Sequence, residues 1–167
     1  MRFLESSIIA SLLLAFSSPI LAETLSGHVV HVADGDTITV LNSGNHQHKI
    51  RLAGIDAPER KQAYGKVSGK HLADMVAGKP VTVEWSKHDR YQRIVGKVLR
   101  DGQDVCLEQI KAGMAWHYKK YQGEQSPKDR VSYSDAEDEA RSARRGLWKD
   151  ANPVPPWEWR HNNKEVK

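Results

Sequence analysis

Only one cysteine, Cys106, occurs in the 167 residues, so no intramolecular disulfide is open to this chain. Cys106 is therefore read as a small buried apolar residue. Long hydrophobic runs are missing too: the apolar stretch Ile8 to Phe16 falls short of the roughly 20 residues that a membrane-spanning helix needs. There is no internal repeat, no low-complexity tract and no acidic surplus. Instead, 25 Lys and Arg outnumber 21 Asp and Glu, for a formal net charge of +4. That balance favours an anionic partner, and alone it suits nucleic acid, a heparin-like polymer or a membrane surface equally.

The amino terminus is a matter of its own. Arg2 precedes the apolar stretch, and Ser17-Ser18-Pro19-Ile20-Leu21-Ala22 follows, with Ala22 as a small residue before Glu23. This is the pattern of a secretory signal peptide over residues 1–22, with an uncleaved anchor as the alternative. Cleavage removes one base, Arg2, and one acid, Glu5, so the exported chain keeps its charge of +4. The reading gives a periplasmic or extracellular protein without a membrane anchor. What remains suits a single domain over 23–150, and nothing in it calls for more than a monomer. Residues 151–167 form a polar, proline-rich tail whose Trp157 and Trp159 are by default packing residues.

Alternating, β-rich runs are expected at Leu25–Val32, Thr37–Leu41, His48–Ile55, Val81–Trp85 and Ile94–Leu99. Asp34-Gly35 makes the first hairpin turn. In the third run Ile50 and Leu52 point one way and Arg51 the other, toward solvent. Helical spacing joins Val67, His71, Leu72, Met75 and Val76 and ends before Gly78 and Pro80. A short helix follows at Val105–Lys111. A third is expected behind a capping box of Ser134 and Glu137, with Glu137 and Arg141 on its outer face. Five short strands with about three helices point to a β-barrel with helices, the five-stranded OB-fold.

Two acidic clusters carry the chemistry. Asp34-Gly35-Asp36-Thr37 ends one strand, and Arg51-Leu52-Ala53-Gly54-Ile55-Asp56-Ala57-Pro58-Glu59 follows the next turn. Two carboxylates suit a hard cation, and a third can move protons. Arginines facing an anion complete what phosphodiester hydrolysis requires. An ideal strand would send Arg51 and Asp56, five apart, to opposite faces, so the alternation must break, and Gly54 is the natural place. His46 with His48, or His28 with His31, could begin a zinc site, but neither pair brings a clear third ligand.

These segments, together with Asp89-Arg90-Tyr91-Gln92-Arg93 and Gly146-Leu147-Trp148, closely resemble the staphylococcal-nuclease-like (thermonuclease) family over about Ser26 to Trp148. The resemblance implies an OB-fold nuclease, dependent on Ca²⁺, acting on DNA and RNA. It implies Asp36, Asp56 and the backbone carbonyl of Ala57 as calcium ligands, with Asp34 behind them. Glu59 corresponds to the general base, and Arg51 and Arg93 to the arginines gripping the scissile phosphate. Tyr91, Tyr118 and Tyr121 correspond to aromatics bordering the nucleotide pocket. Ala57 stands where many relatives have threonine and Gln92 where glycine is common, and the segment after Glu59 is short. The alternative from another class is a catalytically silent OB-fold module that binds nucleic acid. Loss of acids or arginines would mark it, and Asp36, Arg51, Asp56, Glu59 and Arg93 are all present. A secreted adhesin-like protein is also compatible with the basic charge and the tail.

Overall fold

The computed structural model describes residues 23–163; the expected signal peptide lies outside them. Strands β1 (Glu23–Val32), β2 (Thr37–Asn42), β3 (Gln47–Leu52) and β4 (Ile55–Asp56) precede helix α1 (Gly65–Val76). Strands β5 (Pro80–His88), β6 (Ile94–Arg100) and β7 (Gln103–Asp104) lead to α2 (Val105–Lys111). Then come β8 (Trp116–His117), a 3-10 turn at Lys119–Glu124, α3 (Pro127–Ser142), a second 3-10 turn at Gly146–Lys149 and α4 (Pro156–Asn162). Neighbouring strands in the order β3-β2-β1-β5-β6 are antiparallel, and parallel pairing of β3 with β6 closes the ring. The result is a closed five-stranded barrel of the OB type with helices packed around it.

Alternation fills the barrel. Val29, Ile38, Val40, Ile50, Val83 and Val98 are at most 1% exposed, and burying an aliphatic side chain of this size contributes about 1.5–3 kcal/mol. Leu72 and Val76 of α1 and Val105, Cys106 and Ile110 of α2 join the same core, whereas Val67, expected on the apolar stripe of α1, faces solvent. Burial pushes the Cys106 thiol up to about 12, so it is inert at neutral pH.

Two expectations about α3 change. Helix α3 begins eight residues earlier than the Ser134 capping box implies: Ser126 is its N-cap, its Oγ accepting from the Asp129 N–H at 3.0 Å, with Pro127 in the first turn. Glu137 is not on an outer face. It is 1% exposed and accepts from the His117 N–H at 3.0 Å and from Lys119 Nζ at 2.6 Å. The tail packs as expected of its tryptophans: Pro156 is buried, and Trp157 packs on a second core cluster of Trp116, Ala140, Leu147 and Trp148.

Candidate active site

The β1–β2 connection is closed by the Ala33 N–H donating to the Thr37 carbonyl at 2.9 Å. Within it the Asp36 N–H donates to Asp34 Oδ1 at 3.1 Å, a local turn that aims the Asp36 side chain inward. A side chain at Gly35 would run into Ser68 of α1, so glycine lets the helix approach the acidic turn. Asp36 then joins three parts of the chain. Its Oδ1 accepts from Thr37 Oγ1 at 3.1 Å, its Oδ2 accepts from the Ala57 N–H at 2.7 Å, and its carbonyl accepts from the Leu52 N–H at 2.9 Å.

Register places Arg51 opposite Thr37, next to Asp36. Its side chain does leave the barrel core, as alternation requires, but solvent does not receive it: only 14% of it is exposed. Gly54, at φ +73°, turns the chain after β3, and β4 returns Asp56 toward Arg51. Arg51 Nη1 donates to the carbonyls of Leu52 and Ile55, both at 3.0 Å. Its Nη2 lies 2.9 Å from Asp56 Oδ1 and 3.2 Å from Asp36 Oδ2. The broken alternation inferred from the sequence thus sits at Gly54. Burial opposes the charge of Arg51, but Asp36 and Asp56 outweigh it and hold the guanidinium more firmly protonated than usual.

Arg93 enters from the β5–β6 hairpin. Asp89 grips it at Nε, and its Nη1 reaches Thr37 Oγ1 at 3.4 Å, so Thr37 links Arg93 with Asp36. Among the described residues its Nη2 makes no hydrogen bond, leaving that edge of the fork for a ligand. Tyr91, 63% exposed, lies under Arg93 with the guanidinium carbon 5.6 Å from the ring centroid. Gln92 adopts φ +61° between them. Tyr118 and Tyr121 stand edge to face at 5.0 Å on the other side, reached because β8 pairs with β4, Asp56 opposite Trp116. The Tyr118 N–H donates to the Gly54 carbonyl at 2.8 Å.

One site residue escaped the sequence reading. Arg160, on α4, places Nη2 2.7 Å from Asp56 Oδ2 and Nη1 3.2 Å from Asp56 Oδ1, and the same Nη1 lies 2.8 Å from Glu59 Oε1. A helix start was legible: Pro155-Pro156, Glu158 in the first turn, and Arg160 with His161 in the last. Its destination was not, because Arg160 and Asp56 are 104 positions apart.

The donor set fits a hard cation. Asp36 and Asp56 each present an oxygen to a single nitrogen of Arg51, with Ala57 alongside. Burial, then repulsion from Asp36, pushes Asp34 up to about 6, and burial raises Asp56 despite Arg160 and Arg51. Buried acids of this kind supply the hard carboxylate oxygens that a divalent ion binds. Among the described residues no three His, Cys, Asp or Glu side chains form a ready cage, so Asp36, Asp56 and the Ala57 carbonyl would be completed by water, as Ca²⁺ accepts.

Comparison with known proteins agrees with this arrangement. The family described as "Staphylococcal nuclease homologue" matches residues 49–150. An "uncharacterized endonuclease" of Escherichia coli is 47% identical over 150 residues, covering 89% of this chain and 94% of the relative. A protein of Haemophilus influenzae with the same description is 42% identical over 159 residues, 94% of this chain and 86% of the relative. "Micrococcal nuclease" of Shigella flexneri is 39% identical over 169 residues, 96% and 94% of the two chains. With a barrel of the expected topology and its acids and arginines gathered at one end of β2 and β3, the chain belongs to the staphylococcal nuclease family.

Proposed function

We propose that this nuclease is exported, requires calcium, and hydrolyses internal phosphodiester bonds of both DNA and RNA as a monomer. The observation that carries the reading is the single linked cluster of Asp36, Arg51, Asp56, Glu59 and Arg93. A phosphodiester shields its phosphorus with negative charge, so hydrolysis needs neutralisation, an oriented water and relief of charge in the transition state. A bound calcium ion would supply Lewis-acid neutralisation of the phosphate at Asp36, Asp56 and the Ala57 carbonyl.

The chain's own residues do the rest. Glu59 takes the proton of the attacking water at a carboxylate oxygen. Arg93 offers the free edge of its planar fork to a phosphate oxygen and strengthens that contact as charge accumulates. Arg51, committed to two carbonyls and two carboxylates, holds the acids in register and adds a fixed positive charge to the site. Tyr91 and Tyr121 supply rings for flanking bases, with Tyr118 behind Tyr121 and stacked on Trp157, which is sequence-tolerant recognition. Arg60, Lys61 and Lys66 border a depression of about 410 Å³ beside Glu59 and give the backbone of either nucleic acid a cationic path.

The test is cleavage of plasmid DNA and of RNA by the protein beginning at Glu23, titrated with calcium and then with chelator. Cleavage of both polymers that appears with calcium and vanishes with chelator is expected. Full activity in excess chelator, from protein stripped of metal, overturns the calcium mechanism. Binding without cleavage favours the silent module. Export rests on the amino-terminal sequence, and mass spectrometry of active protein from the cell envelope or medium should find Glu23 as the first residue. An intact Met1 there sinks it.

A further inference from the structure

Asp56 is the acid closest to the centre of the site, and its side chain is fully shielded from solvent. Arg160 of α4 lies directly on it. A carboxylate offers about four lone-pair positions. Arg160 takes one on each oxygen of Asp56, and Arg51 takes another on Oδ1. A cation that needs an Asp56 oxygen therefore meets a bidentate guanidinium already in place, the strongest geometry an arginine can make with a carboxylate. The same guanidinium holds Glu59, the residue assigned to the water.

The hold is built to be reversible. Helix α4 has seven residues, too few to be stable alone. Trp157 is stacked on Tyr118, with planes 4° apart and centroids at 5.5 Å, and packs edge-on against Trp116. Gln62 Nε2, from the loop that carries Glu59, donates to the Val154 carbonyl at 2.6 Å. Arg160 itself remains 37% exposed and can leave outward, without any opening of the barrel.

From this geometry we infer that α4 is an intramolecular plug: Arg160 competes with the divalent cation for Asp56 and Glu59, and calcium binding expels the helix from the site. The inference rests on the assignment of Asp36 and Asp56 as the calcium ligands. Two groups of like charge cannot share Asp56 without repulsion, so the ion and Arg160 disfavour each other, and the coupling is reciprocal.

The experiment measures calcium binding calorimetrically to the protein from Glu23 to the carboxyl terminus, in its native form and as Arg160→Gln and Trp157→Ala, with no nucleic acid present. Removing the competitor should tighten calcium binding about tenfold in Arg160→Gln, within the usual range of coupling between sites. Trp157→Ala, which loosens the helix and leaves every charge in place, should move affinity in the same direction, so the result does not depend on one variant folding well. Hydrogen exchange over residues 156–162 should speed up when calcium is added to the native protein. Equal calcium affinity in all three proteins, or tighter binding in the native one, overturns the plug and leaves the calcium mechanism standing. Exchange over α4 that calcium leaves unchanged or slows also overturns it. No calcium binding by any of the three removes the calcium assignment and the plug together.

Discussion

Asp89 holds Arg93 from behind: Oδ2 accepts from Nε at 2.8 Å, while Oδ1 accepts from the backbone N–H of Arg93 at 3.0 Å and from that of Tyr91 at 2.9 Å. One carboxylate thus sets both the hairpin and the direction of the guanidinium. Asp89→Ala should lower kcat about tenfold through misplacement of Arg93, with a smaller change in KM, read from steady-state cleavage of a defined oligonucleotide. Burial alone would raise the Asp89 carboxyl, but the donors from Arg93 and Tyr91 prevail and hold it below its ordinary value. A carboxyl depressed in the folded state stabilises above its unfolded pKa and loses that effect as pH falls through the folded value. Thermal unfolding should therefore separate native protein and Asp89→Ala at neutral pH, and the gap should narrow below about pH 4.

Arg93 is the arginine with an uncommitted edge, so its removal should act on the transition state. Arg93→Ala should cost about 10²–10³ in kcat, the usual effect of losing one electrostatic donor, with little change in KM. Arg93→Lys keeps the charge and loses the fork, and should remain slow. Near-normal rates in Arg93→Lys would mean that charge suffices; a change confined to KM would make Arg93 a binding residue only.

Much of the site could be read locally. Asp34-Gly35-Asp36-Thr37 and the run from Arg51 to Glu59 lie at strand ends, where short-range spacing and turn chemistry largely set geometry, and even the break at Gly54 follows from the mismatch between Arg51 and Asp56. What escaped was set by tertiary packing. Alternation sends Arg51 off the barrel core, but only the return of β4 and the approach of Asp36 decide that it is buried among acids. Glu137 reads as a surface residue of an amphipathic helix until β8 lays the His117 N–H against it. Ser134 and Glu137 do have capping-box spacing, yet Ser126-Pro127 nucleates α3 earlier, so the box falls mid-helix. Arg160 lay furthest from view, since nothing within its own turn of helix names a partner in a loop a hundred positions earlier.

Asp56 and Arg160 offer a direct measure of that long-range contact. Asp56→Ala leaves the buried guanidinium of Arg51 with one acid fewer and Arg160 with Glu59 alone, and should cost about 3 kcal/mol of stability, as breaking a buried ion pair does. Calcium binding should fall as well, so loss of activity in this variant is not by itself evidence for metal ligation. Adding Arg160→Gln to Asp56→Ala should cost little more, giving a clear coupling energy in a double-mutant cycle by chemical denaturation. Additive losses would mean that the two side chains do not interact in solution. Asp36→Ala removes a calcium acid that Arg160 does not touch, but it also takes a partner from Arg51 and from the Ala57 N–H, so its calcium affinity has to be read beside its unfolding free energy.

Glu59 has two candidate roles, and Glu59→Gln separates them. As the base it accepts a proton from water, and an amide of the same size cannot. As an anchor for Arg160 it only has to present an oxygen, which glutamine retains at Oε1. If the base role is real, Glu59→Gln slows turnover by about 10²–10⁴, removes the acidic limb of the pH–rate profile and leaves oligonucleotide affinity near normal. Helix α4 should then stay docked, because the accepting oxygen and both oxygens of Asp56 are still there. Anchoring alone predicts the opposite for the chemistry: kcat persists and the pH profile keeps its shape, with α4 docked in either case. Both sets of observables come from one variant, and unchanged kcat with an intact acidic limb would remove Glu59 from the chemistry while leaving the arginines and the calcium acids where they are.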